Sequence, residues 1–212
     1  SVKDLSTTNG ATVNLYAKWN IIKYTISYNA NGGSGAPGSQ TKNYGSNLTL
    51  SSTKPTKSNS SATKSVTFDA NGGSSTGATN NKVDFKVTTS YTFSKWNTKS
   101  DGSGTNYNSG GTYSVNANAT LYAQYSSSSS VASVKLPTPT RAGYSFNGWY
   151  TAKTGGTKRG GAGDTYTPPA DGETLYAQWT QNEFTVKYDA NGGSGAPGNQ
   201  KKTRGTDLTL ST

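Results

Sequence analysis

The chain contains no histidine and no cysteine, so its candidate acid–base groups are ten carboxylates: Asp4, Asp69, Asp84, Asp101, Asp164, Asp171, Glu173, Glu183, Asp189 and Asp207. A Ser-His-Asp triad, a cysteine nucleophile and an imidazole or thiolate zinc site all need residue types that are absent. Asp171 and Glu173 stand two residues apart and could form the acid and base of a glycoside-cleaving pair. They lie in Pro169-Ala-Asp-Gly-Glu173, a turn-forming composition that favours plain loop chemistry. Gly155-Gly156 and Gly160-Gly-Ala-Gly163 lack the strand, Lys-Ser/Thr and helix of a phosphate loop and read as turns. The expectation is therefore no catalytic residue, no metal and no cofactor.

Aromatic and basic residues offer the remaining chemistry. Trp19, Trp96, Trp149 and Trp179 could stack on sugar rings, but each falls in a recurring phrase among alternating apolar partners. Packing in a core or at a module interface is the expected role. The formal net charge of +10 is spread along the modules, with a few local groups at Lys54, Lys57 and Lys64, at Lys153, Lys158 and Arg159, and at Lys201, Lys202 and Arg204. These groups sit in expected loops, which fits attraction to an anionic wall polymer or acidic glycan better than nucleic-acid binding. Lysine and asparagine beside an acid can also close an isopeptide bond, although the sequence does not place three such groups together. No apolar run reaches the length of a membrane span.

The elements that must position these residues are repeated. Three strands end in one turn: Tyr24-Thr-Ile-Ser-Tyr-Asn-Ala-Asn31-Gly32-Gly33, Val66-Thr-Phe-Asp-Ala-Asn71-Gly72-Gly73 and Phe184-Thr-Val-Lys-Tyr-Asp-Ala-Asn191-Gly192-Gly193. Asn-Gly supplies the two positive φ angles of a type I′ turn, so each copy reads as a hairpin opening. Asp69 and Asp189 precede Ala-Asn-Gly-Gly where Asn29 stands in the first copy, which predicts turn capping. A closing phrase also recurs, as Leu15-Tyr-Ala-Lys-Trp19, Leu121-Tyr-Ala-Gln-Tyr125 and Leu175-Tyr-Ala-Gln-Trp179. Residues 24–40 and 184–200 agree at 12 of 17 positions, which marks a tandem array.

The spacing predicts a closing half-module at 1–23, an opening half at 24–64 and a full module at 65–125. A serine linker is expected at 126–130, a further module at 131–180 and another opening half at 181–212. The fold class expected is mainly β, with several thin cores in place of one large one.

Together, Val66-Thr-Phe-Asp-Ala-Asn-Gly-Gly73, Pro139-Thr-Arg-Ala-Gly-Tyr-Ser-Phe-Asn-Gly-Trp149 and Thr174-Leu-Tyr-Ala-Gln-Trp179 resemble the Listeria–Bacteroides repeat, also called the internalin B-repeat. The resemblance implies tandem β-grasp-like modules in an elongated array, of the kind found on bacterial surface proteins and in some phage tail proteins. It implies a non-enzymatic, extracellular part that acts as stalk, spacer or adhesive, filament-forming segment. The alternatives are a virion tail or fibre component touching the bacterial envelope and an accessory binding segment of a secreted enzyme. The partners expected are neighbouring modules or copies of the chain, with an anionic wall polymer or glycan as a further candidate, and neither nucleic acid nor membrane insertion. The half-modules at 1–23 and 184–212 are expected to need covering by such partners.

Overall fold

The computed structural model describes residues 3, 6–74 and 76–212, so Asp4 and part of the expected closing half at 1–23 lie outside the described residues. In chain order the strands are β1 (Lys23–Asn29), β2 (Gln40–Asn43), β3 (Leu48–Thr49), β4 (Ser60–Asp69), β5 (Lys82–Asn97), β6 (Asn106–Tyr107), β7 (Thr112–Tyr113) and β8 (Ala119–Val131). They continue as β9 (Val134–Lys135), β10 (Tyr144–Tyr150), β11 (Lys158–Gly160), β12 (Thr165–Tyr166), β13 (Glu173–Gln181), β14 (Glu183–Val186) and β15 (Gln200–Thr203). Among the described residues the helical content is a single 3-10 turn, Thr79–Asn81. The protein is mainly β, as its alternation of apolar and polar residues requires.

Two compact units share the strands. Unit 1 takes Ser1–Ser58 and Tyr91–Ser126, and unit 2 takes Asn59–Ser90 and Ser127–Thr212. In unit 1, β1 pairs antiparallel with β2 and parallel with β8, in the register Ile26↔Ala119, Tyr28↔Leu121 and Asn29↔Tyr122. Ile26, Leu121 and Ala123 of these strands are buried together with Leu50, Trp96 and Tyr113. In unit 2, β4 pairs antiparallel with β5 and parallel with β13, in the register Val66↔Glu173, Phe68↔Leu175 and Asp69↔Tyr176. Its core joins Val66, Phe68, Phe85, Val134, Leu136, Trp149, Leu175 and Ala177.

The sequence reading treats 65–125 as one module, whereas the pairing runs across that division. The opening strand at Ile26 takes the closing strand at Leu121, and the opening strand at Val66 takes the closing strand at Leu175. The order along the chain is opening, opening, closing, closing. Because the opening phrases share one pattern and the closing phrases another, several opening–closing combinations satisfy the same alternation, and register rules alone do not choose among them.

Ser126–Ser130, expected as a flexible linker, instead belongs to β8. A strand's ladder is made of backbone bonds, so a serine run can be extended wherever a neighbour offers partners. In unit 1, Ser126 Oγ donates to the Thr92 carbonyl, and in unit 2 Thr89 Oγ1 and Ser129 Oγ lie 3.1 Å apart.

The central aromatic motif is shaped by a bulge. Phe146 and Trp149, three residues apart, would face opposite sides of a regular strand. The register of β10 against β13 shifts between Phe146 and Gly148, and Gly148 takes φ 141°, which only glycine adopts readily. Both rings then face the core, with centroids 5.5 Å apart, and Phe68 meets Trp149 edge-on at 4.8 Å. Unit 1 repeats the cluster with Tyr28 and Phe93 around Trp96, at 4.9 and 5.1 Å.

Candidate functional site

The residues that carry the repeat meet where each opening turn touches its closing strand. Asn31 and Gly32 have φ 49° and 83°, and the Gly33 N–H donates to the Ala30 carbonyl at 2.9 Å. Asn71 and Gly72 do the same at 46° and 86°, with Gly73 donating to Ala70. Paired positive φ closed by this bond is type I′ geometry. The turn does not join a two-residue hairpin, however, since Ile26 pairs with Gln40, well beyond it. The chain is reversed for another purpose, which is to aim the asparagine side chain at the neighbouring strand.

Asn31 Nδ2 donates to the carbonyls of Ala123 and Ser100, at 2.9 and 2.8 Å. Asn71 Nδ2 likewise donates to Ala177 and Lys153, both at 2.9 Å. The closing aromatic reaches back, with Tyr125 Oη donating to the Ala30 carbonyl at 2.8 Å and Trp179 Nε1 to Ala70 at 3.0 Å. Each unit is thus latched by reciprocal bonds between an opening turn and a closing strand. The third turn holds the same backbone form, with Asn191 at φ 45°, Gly192 at 86° and Gly193 donating to Ala190. It has no closing strand beside it among the described residues, and Asn191 is exposed.

Replacing Gly72 by valine should destabilise unit 2 by about 1 to 2 kcal/mol, because a branched side chain is forced to positive φ. The added Cβ would also press on the Arg141 guanidinium, 3.3 Å away, which lies over the Tyr144 ring. A thermal melt of Gly72→Val unchanged from that of the parent would count against the strained-turn assignment.

Capping falls where the repeat places it. Asn29, Asp69 and Asp189 each accept the N–H two residues on, all at 2.8 Å. The Asn71 N–H does most to hold the Asp69 carboxyl below its ordinary value; partial burial opposes this, and Lys153, 3.2 Å away, assists it. A lowered folded-state pKa stabilises above the unfolded value, near 3.9, and that contribution disappears as pH falls through the lower folded value. Asp69→Asn, which copies Asn29, should change stability at pH 7 by no more than about 0.5 kcal/mol. It should also flatten part of the loss of melting temperature below about pH 4. Asp84 and Asp101 are shifted in the same direction, by Ser65 and Ser103 first, so some acid sensitivity remains. A variant with the parent's full acid sensitivity would refute the assignment.

Asp171 and Glu173 serve separate partners. Asp171 is exposed, 3.6 Å from Lys64, whereas Glu173 accepts Tyr166 Oη and lies 3.3 Å from Arg159. Burial first, and Glu173 second, push the Tyr166 phenol up to about 12, so it remains a donor throughout the physiological range. The basic groups are also largely occupied. Lys57 lies over the Tyr91 and Tyr125 rings, Lys153 pairs with Asp69, Lys201 lies 3.6 Å from Glu183, and Lys202 donates to the Thr203 carbonyl.

Of the four tryptophans, Trp96 and Trp149 are wholly buried, and Trp179 is half-buried against the unit 2 core. Trp19 differs, with 89% of its surface exposed. No opening strand runs beside its phrase among the described residues, so the ring has nothing to latch onto.

The sequence pattern of the Listeria-Bacteroides repeat domain matches residues 24–63, 65–124 and 125–178. The chain belongs to this repeat family. Internalin H of Listeria monocytogenes is 53% identical over 60 residues, covering 28% of this chain and 11% of that protein. A protein of Evansella cellulosilytica described as a Gly-rich membrane protein is 33% identical over 136 residues, covering 50% of the chain and 16% of its own length. A second Evansella protein, described as a membrane protein, is 30% identical over 171 residues, covering 79% of the chain and 24% of its own length. The chain thus spans a quarter or less of the relatives it matches. No solved structure matches it.

One Listeria-Bacteroides repeat residue escaped sequence reasoning. Lys42 sits opposite Tyr24 on β2, as Phe85 sits opposite Lys64 on β5, and it is 1% exposed. Its Nζ donates to Asn116 Oδ1 at 2.6 Å and to the Asn43 carbonyl, and Gly45 N–H donates to the same Oδ1. The lysine stem fills a core position while its head ties the β2–β3 turn to the loop before β8. A lone lysine in a polar stretch carries no periodic signal of this. The geometry brings together the lysine and asparagine of an isopeptide pair, and no carboxylate accompanies them among the described contacts.

Proposed function

We propose that the chain is an extracellular, non-enzymatic repeat segment of a bacterial surface protein, serving as a stalk or spacer that holds other parts of that protein away from the envelope. The observation that carries this reading is the duplicated latch. Two units use matching asparagine and aromatic bonds to join chain segments far apart in sequence. A relative named as an internalin and two described as membrane proteins support a surface location over a virion one.

A display experiment tests the spacer role. The chain is placed between an epitope and a wall anchor in a Gram-positive host, and antibody binding to intact cells is compared with that of an unstructured Gly/Ser linker of equal length. Stronger labelling with the folded chain, lost when Trp96 and Trp149 are replaced, is the expected result. Equal labelling by all three would overturn the spacer reading.

A further inference from the structure

We propose that the chain bears tensile load, each parallel pair of an opening and a closing strand acting as a clamp that is sheared when the chain is pulled along its length. The inference deepens the stalk reading and rests on it for the source of the tension. The clamp itself stands on strand direction.

Direction decides how two paired strands give way. In unit 1 the chain enters β1 at Lys23 and passes out of the unit along β8, after Ser126. Because β1 and β8 run parallel, these two points lie at opposite ends of the pair. Tension between them slides one strand past the other, so the bonds across Ile26↔Ala119, Ser27↔Thr120, Tyr28↔Leu121 and Asn29↔Tyr122 share the load. An antiparallel opening–closing pair would have both points at one end and would open bond by bond. Unit 2 has the same arrangement, since the chain enters β4 at Ser60 and leaves β13 at Gln181, and those strands are also parallel.

Two further features oppose the sliding. A shift of β1 by one residue would turn Ile26 and Tyr28 away from the core, because side chains alternate between the two faces of a strand. Ile26 and its neighbours Leu121 and Ala123 are fully buried, so the packing resists the same motion as the ladder. The latch is the second feature. It lies beyond Asn29↔Tyr122, at the end of the pair far from Lys23, where Asn31 Nδ2 donates to the Ala123 carbonyl and Tyr125 Oη to the Ala30 carbonyl. In shear these bonds are strained together with the ladder. In peeling from the Lys23 end they are reached last. Asn71 and Trp179 hold the corresponding place in unit 2.

The absence of native cysteine lets DNA handles be attached at chosen points for optical tweezers. Lys23→Cys with Ser126→Cys pulls β1 and β8 in shear, whereas Lys23→Cys with Ala117→Cys pulls the same pair apart from one end. All three positions are exposed. Forced rupture reads the barrier to unfolding along the direction pulled, so a stability common to both geometries cancels. At equal loading rate the first geometry should need a severalfold higher force. Asn31→Gly with Tyr125→Phe removes the latch and keeps a residue suited to positive φ at the turn. In that background the shear force should fall, while the peeling force stays as in the parent. Equal forces in the two geometries, or a latch deletion that lowers both by the same factor, would overturn the clamp. The comparison of geometries in the parent decides the matter even if the latch variant does not fold. A chain that labels well in the display experiment yet ruptures equally in both geometries would lose the clamp and keep the spacer role.

Discussion

Trp149→Ala should lower the stability of unit 2 by about 3 to 5 kcal/mol, the loss expected when a fully buried indole leaves a cavity. The ring is 0% exposed, packed edge-on against Phe68 and Phe146, and its Nε1 donates to the Pro137 carbonyl at 2.9 Å. That bond also anchors the proline-containing loop after β9, so hydrogen exchange should accelerate through β10 and β13 before it does in β1. Trp96 offers an informative contrast, because its Nε1 is buried with no hydrogen-bond partner among the described residues. Trp96→Phe should therefore cost less than Trp149→Phe by about 1 kcal/mol, the size of one hydrogen bond lost against one orphaned donor relieved. Equal costs in denaturant titrations would show that the two indoles are held in the same way.

Gly33→Ala should destabilise unit 1 by about 2 to 4 kcal/mol, although its φ is not in the left-handed region. The cause is space. The new methyl carbon would collide with Tyr125 Oη and the Thr56 carbonyl, so the latch bond to Ala30 and the Ser34–Thr56 bridge cannot both remain. Gly193→Ala is the internal control. At the same repeat position the nearest atom is the Ala190 carbonyl at 3.1 Å, and the expected cost is below about 1 kcal/mol. If chemical denaturation gave the two substitutions equal costs, the tight fit of the closing aromatic over Gly33 would not be what the glycine serves.

Much of this was legible in the residues. Asn-Gly at positions 31, 71 and 191 announced paired positive φ, and Asp or Asn two residues earlier announced the cap, because both are local properties of a short segment. The alternation through Ile26 and Tyr28, and through Leu175 and Ala177, announced strands and their inward faces. Partner choice was not legible. The Leu121 phrase and the Leu175 phrase present the same pattern, so nothing in either says which opening strand it accepts. Ser126–Ser130 misled for a related reason, since composition describes side chains and this strand is held by its backbone. The latch itself was hidden because the turn residue Asn31 had already been given a sufficient local role, and its reach to Ala123 spans most of unit 1 in sequence.

A pair of disulfide traps in the otherwise cysteine-free chain measures the interleaved order of opening and closing strands directly. Ser27 and Thr120 are opposed across β1 and β8, as Thr67 and Thr174 are across β4 and β13. Neighbouring strands stand about 4.8 Å apart, close enough for a disulfide between opposed residues. In the interleaved structure Ser27→Cys with Thr120→Cys should oxidise readily within the monomer, and Thr67→Cys with Thr120→Cys should remain reduced. Were residues 65–125 instead a self-contained module, Thr67 would face Thr120. Rapid oxidation of that second pair, with the first left reduced, would overturn the interleaved pairing.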